Sequence, residues 1–166
     1  MATYTTQLEA VNSMLSHIGE SPVNSISDTA ARPVSVSTAI AALNEVSKEV
    51  QSEGWHFNTE MGVKYSPTGG SITVPADIIQ FDPIDTSLDI VQRGATLFDR
   101  KNNTTTFTSE LTVNQMRLLD WDSLPEVARR YITLKASRVF QGRIIGSREL
   151  EALIARDEYV ARANLL

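Results

Sequence analysis

Cysteine is absent from the 166 residues, which removes disulfides, thiolate nucleophiles and every zinc site built on cysteine. That absence fits a reducing compartment. Histidine is almost as scarce: His17 and His56 are far apart, and no His-Glu-x-x-His pattern joins them into a metal site. No apolar run approaches the ~20 residues that a helix needs to cross a bilayer. The opening Met1–Thr6 stretch has neither a basic start nor an apolar core, so a cleaved leader is not expected, and neither is a membrane. Phosphate-cradling glycine motifs and a Gly-x-Ser-x-Gly elbow are also missing, and Gly69-Gly70 reads as a plain turn. Cations are in deficit, with 15 Lys+Arg against 20 Asp+Glu and a formal charge of −5. General binding to a phosphate backbone, which needs clustered Lys and Arg, is disfavoured.

What is present describes an ordinary globular chain. Apolar residues make up 42 % and charged residues 21 %, and the length suits one domain with room for an inserted lobe. Charge is unevenly spread along the chain: Met1–Asp122 sums to −8 and Ser123–Leu166 to +3. An acidic front and a basic rear fit three readings equally: a solvated accident of sequence, a contact of one copy with the next in a self-assembling ring, or orientation of the chain between two partners.

Periodicity predicts helices at both ends. Leu8, Val11, Leu15 and Ile18 recur at helical spacing, and Gly19 and Pro22 end that run. Arg32-Pro33 opens a second helix with a Val36, Ile40, Leu43, Val46 and Val50 stripe, closed by Gly54 and plugged by Trp55-His56-Phe57. Ser123 and Glu126 stand at capping-box spacing before a third helix to about Gln141, with Gly142 and Gly146 as the break. In that helix Val127, Tyr131, Leu134 and Phe140 supply apolar content, while Arg129, Arg130, Lys135 and Arg138 face water or a partner. Ser147 caps a fourth helix, with Leu150, Leu153, Ile154 and Val160 inward.

Between Asn58 and Asp122 the period shortens. Residues 62–65 and 71–74 flank a Ser-Pro-Thr-Gly-Gly turn, 88–91 and 95–98 flank Gln92-Arg93-Gly94, and 110–119 read as a last strand. Pro75 and Pro83 belong at strand ends or edges. The fold class is therefore α+β: a mainly helical four-helix bundle made of two helical pairs, 1–57 and 123–166, with 58–122 as an inserted β-rich lobe.

Catalytic chemistry finds little support. Asp77, Asp82, Asp85 and Asp89 gather around Phe81, and Trp121 lies between Asp120 and Asp122. Paired carboxylates beside aromatics are what a polysaccharide or cell-wall hydrolase requires, and this is the alternative reading. No spacing fixes a separation between any two of them, so no catalytic, cofactor or metal residue is assigned. Interface residues are easier to nominate. Arg138, Arg143, Arg148, Tyr159 and Arg162 are of the types that dominate binding hot spots, as is Tyr131. Leu165 and Leu166 at the end of the fourth helix, and Phe81 and Ile84 in the β region, complete the candidate set.

Several strings carry a resemblance when taken in order. Leu8-Glu9-Ala10-Val11-Asn12 through Ile18-Gly19-Glu20-Ser21-Pro22-Val23 is followed by Glu49-Val50-Gln51-Ser52-Glu53-Gly54-Trp55-His56-Phe57-Asn58. Leu124-Pro125-Glu126 then precedes Tyr131-Ile132-Thr133-Leu134-Lys135-Ala136-Ser137-Arg138 and Phe140. Together they resemble the tail tubular protein A family of short-tailed bacteriophages. The resemblance implies a structural virion protein made in the bacterial cytoplasm, with no enzyme activity and no cofactor. It also implies a homo-oligomeric ring, normally a dodecamer, acting as head-to-tail adaptor between the portal protein and the tail nozzle. Tail fibres attach nearby in some members, and DNA passes through the lumen without specific binding. Chains of that family often extend further past the fourth helix, so the portal contacts of such a tail are either missing here or taken over by Tyr159–Leu166.

Overall fold

The computed structural model describes residues 4–29 and 32–166, so the Met1–Thr3 part of the leader reading lies outside them. The chain is mixed α+β. Its elements are α1 (Gln7–His17), α2 (Val34–Gln51), β1 (Thr59–Tyr65), β2 (Ile78–Pro83), β3 (Ile90–Arg93), β4 (Thr96–Asp99), β5 (Leu111–Arg117), α3 (Glu126–Ile144) and α4 (Arg148–Leu165). A short 3-10 turn, Trp121–Ser123, leads into α3. Contacts divide the chain into two compact units: residues 1–50 with 120–166, and residues 51–119.

In the first unit α3 packs against both α1 and α4. Its buried arc is wide because two helices cover it, and it takes in Ala128, Tyr131, Ile132, Ala136 and Phe140. Polar members of that arc are satisfied locally: the Thr133 hydroxyl donates to the Arg129 carbonyl at 2.7 Å and the Ser137 hydroxyl to the Thr133 carbonyl at 2.8 Å. Helix α1 buries Ala10 and Met14 beside the expected Val11 and Leu15. Helix α2 buries Val36, Ala39, Ala42, Leu43, Val46 and Val50, and Ile40 stays half-buried.

Helix starts differ from expectation in an instructive way. The capping box forms at Thr6 and Glu9 of α1, where hydroxyl and carboxylate each satisfy a backbone N–H. At α3 the box does not form. Pro125 is the N-cap there, because the 3-10 turn places Ser123 before the helix. The Glu126 carboxylate is thereby free to accept the backbone N–H and the hydroxyl of Thr5. Gly142 does not break the helix; α3 runs through it to Ile144, and the reversal comes at Gly146. Ser147 caps α4 as expected, accepting from the Leu150 N–H.

In the second unit β1, β5 and β2 form an antiparallel sheet in that order, and β3 and β4 form a separate hairpin. The hairpin follows the Gln92-Arg93-Gly94 signal. The other expected hairpin does not form: β1 pairs with β5, and 71–74 makes only isolated bridges, Thr68–Ser71 and Thr73–Thr96. The tight turn closes on itself through Thr68 and Ser71, and Ile72 and Val74 go into the core instead of a ladder. Strand β5 is central because it buries Leu111, Val113 and Gln115 in strict alternation. Pro83 ends β2, an edge strand, where its missing N–H costs the ladder nothing.

Both ends of this unit are tied by side-chain amides. Gln51 donates to the Leu119 carbonyl at 3.1 Å and accepts from the Leu119 N–H at 2.7 Å. Asn58, also buried, donates to the carbonyls of Gln51 and Arg117 and accepts from the Trp55 N–H.

Candidate interaction surfaces

The basic residues of α3 and α4 are mostly engaged inside their own unit. Arg138 makes a bidentate pair with Glu158, at 2.6 and 3.2 Å, which holds its guanidinium pKa above the ordinary value. Arg143 meets Glu45 at 2.8 Å, Lys135 meets Glu49 at 3.0 Å, and Arg162 donates to the Tyr131 hydroxyl at 2.8 Å. The acidic face of α2 therefore answers the basic face of α3. The front-to-rear asymmetry of the sequence is largely consumed here, leaving −2 on the first unit and −3 on the second.

Arg129 corrects the expectation of a water-facing cation. It is only 3 % exposed, and its fork donates to the carbonyls of Leu124, Thr5 and Asp122 at 2.9, 2.8 and 2.7 Å. Those three acceptors converge because the 3-10 turn and the segment before α1 both end beside the first turn of α3. The Trp121 indole N–H donates to the same Thr5 carbonyl at 2.9 Å. Tyr131 and Leu165, nominated for partners, are buried at 1 % and 4 % and belong to the core of their unit.

Helix α4 keeps Ile154 inward as expected and half-buries Leu150, but it turns Leu153 and Val160 out. Ile154, Ala161 and Leu165 are buried, while Leu153 and Val160 are exposed at 65 % and 52 %. Each exposed residue stands one position, about 100° of helix, from a buried one, which moves it off the packed arc. Tyr159 and Leu166 are exposed as well, Arg148 and Arg156 share this outer side, and Val127 at the start of α3 is exposed rather than packed.

In the second unit Phe81 packs against the β core and tilts over the Tyr65 ring at 6.0 Å, so it is not an open docking residue. Ile84, three residues on, is exposed. The nominated carboxylates do not share a site. Asp77 binds Arg117, Asp89 pairs with Arg100 at 3.2 Å, Asp85 accepts the Ser87 N–H at 2.9 Å, and Asp82 is exposed on β2. Asp85 is held below the usual carboxylate range by the Ser87 hydroxyl and N–H, a turn contact with no partner acid. No group of three or more potential metal ligands occurs among the described residues. His17 bonds to the Ser13 carbonyl through Nδ1 at 2.7 Å, and His56 meets the Phe57 ring edge-on.

A mostly polar network occupies the sheet instead. Tyr65 donates to Gln115 at 2.7 Å, Gln115 donates to Glu60 at 2.6 Å, and Arg117 reaches both Glu60 and Asp77. These contacts brace β1 against β5.

The profile of the tail tubular protein family matches residues 8–166, across both helical segments and the β region. The chain belongs to the tail tubular protein family. No curated protein matches it. As a tail tubular protein it is a structural component of a bacteriophage tail, and the surfaces left exposed by its packing are those available for assembly. Among its described residues no helix is long and apolar enough to cross a membrane.

Proposed function

We propose that this chain is the head-to-tail adaptor of a short-tailed phage, the tail tubular A type. Copies close into a ring, normally a dodecamer, between the portal protein and the tail nozzle, and the ring leaves a channel for DNA. The observation that carries this reading is the family match over 8–166, taken with the resemblance of both helical segments to the A type. The four helices serve as a bundle, a stiff wedge that repeats around an axis. A ring of such wedges needs two unlike faces per copy, since heterologous contacts alone propagate and close.

Net charge supports the channel role. Neither unit is positive overall, so a wall built from them repels the DNA backbone and lets it slide. A cryo-electron density map of the particle neck tests the reading: a closed ring of this chain touching portal on one side and nozzle on the other is expected. Absence of the chain from purified particles overturns it.

A further inference from the structure

The outer side of α4 carries apolar and charged groups in a single stripe. Glu149, Ala152, Leu153, Arg156 and Val160 recur at helical steps of three and four, and all five are exposed. Leu153 and Val160 are 65 and 52 % exposed, and Tyr159 at 76 % borders them.

Every charge on this helix has a definite place. Glu158 and Glu151 face Arg138, at 2.6 and 3.9 Å, and Arg162 donates to the Tyr131 hydroxyl. Glu149 and Arg156 lie on the stripe itself. Arg148 and Asp157 stand one residue from them, about 100° round the helix in opposite senses, and so occupy its two margins. None of these four makes an ion pair among the described residues. Glu149 and Arg156 are two turns apart, about 10 Å along the axis, and cannot reach each other. The stripe thus holds an acid, then apolar residues, then a base, and it is complementary to itself turned end for end.

We infer that two free copies of this chain pack α4 against α4, antiparallel, about a two-fold axis between Ala152 and Leu153. Glu149 then meets Arg156 of the second copy and Arg156 meets its Glu149, so one ion pair is made twice. Leu153 lies over Ala152 of the second copy, and Val160 over its Ile145, which is 49 % exposed at the α3–α4 turn. A parallel pair in register would set acid against acid and base against base, and it would align the helix dipoles unfavourably. Arg148 and Asp157 stay at the rim, in water, where a charge counts for little. The contact is isologous and closes at two copies, unlike the heterologous contacts of the proposed ring. It covers the α4 stripe of the free chain and leaves no open end from which filaments could grow.

Sedimentation of the full chain over a range of concentrations is expected to show a monomer–dimer equilibrium. Glu149→Arg and Arg156→Glu should each weaken the dimer by about tenfold or more, since symmetry spoils both pairs at once. The two changes together should restore it to within about threefold of wild type, because the pairs re-form with their signs exchanged. The lack of native cysteine permits a second measurement that leaves these charges untouched. Ala152→Cys, beside the axis, should give dimers with a short thiol crosslinker. Ala163→Cys should give none, since its two copies stand about 30 Å apart in an antiparallel pair. A monomer at every concentration overturns the inference. So does a dimer that the double reversal fails to restore, or equal crosslinking at 152 and 163. The ring reading is decided separately, in the particle neck.

Discussion

The side-chain amide of Gln51 reads the backbone of Leu119 as another strand would, donating to its carbonyl and accepting from its N–H. The two residues are 68 positions apart and bound the β unit at its two ends. Gln51→Leu preserves volume and leaves both Leu119 groups without this partner. A loss of about 2–4 kcal/mol is expected, since each orphaned group costs roughly 1–3 kcal/mol. Each unit holds one tryptophan, Trp55 here and Trp121 in the helical unit, so urea unfolding followed by fluorescence in a Trp121→Phe background reports on this unit alone. A change below about 0.5 kcal/mol would show that water replaces the amide without loss.

Arg129 is the helical unit's counterpart. A buried guanidinium holding three carbonyls cannot be replaced by a lysine, whose single ammonium lacks the planar fork. Arg129→Lys is expected to cost about 2–3 kcal/mol and Arg129→Met more, since each carbonyl left unpaired adds its own penalty. Unfolding read from Trp121 in a Trp55→Phe background checks both. Equal stability of Arg129→Met and wild type would mean that the segment before α1 is not held by this residue.

Some local signals held, although the Ser123/Glu126 box and the 62–65/71–74 hairpin did not, and distant pairings could not be read at all. The Ser147 cap, the reversal at Gly146 and the β3–β4 hairpin each depend on residues within a few positions, and the sequence displays them. The β1–β5 pairing joins Thr59 to Met116, and nothing near either residue announces the other. The burial of Arg129 needs carbonyls from Thr5, Asp122 and Leu124, so its charge pointed outward on any local reading. In α4, apolar residues occupy both the packed arc and the outer side. Periodicity alone then assigns Leu153 and Val160 to the core with Ile154, and only the packing of α3 decides between them. For the candidate surfaces the residue types were visible early. Which of them were already paired was not, because Glu45 and Glu49 lie far upstream of Arg143 and Lys135.

Gly54 and Gly19 separate two costs of a side chain. Both have positive φ, +79° and +77°, where an L residue is strained by about 1–2 kcal/mol. A Cβ at Gly19 meets nothing within 4 Å, whereas one at Gly54 falls 2.8 Å from the Met116 Cε and 2.9 Å from its Sδ. Gly19→Ala should show the backbone penalty alone, and Gly54→Ala that penalty plus the displacement of the thioether. Combining Gly54→Ala with Met116→Ala should then cost less than the two singles added together. Strict additivity in the urea midpoints would show that Met116 swings aside freely.

Acid should loosen the β unit through Glu60. Hydrogen bonds from the Arg117 guanidinium, and next from the Gln115 amide, hold its folded pKa below the ordinary 4.5. A carboxylate with a lowered folded pKa stabilises fully above its unfolded value, and the contribution drains away as pH falls through the folded one. Wild type should therefore lose stability on going from about pH 5 to about pH 3 more steeply than Glu60→Gln, which carries no titrating group at that position. At neutral pH the variant should be the less stable of the two, and the gap should close in acid. Some slope will persist in the variant because Asp99, held low by the Asn102 N–H and side-chain amide, and Asp85 titrate in the same unit. Parallel curves for the two proteins across that range, read from Trp55, would mean that Arg117 draws its stabilisation from Asp77 and not from Glu60.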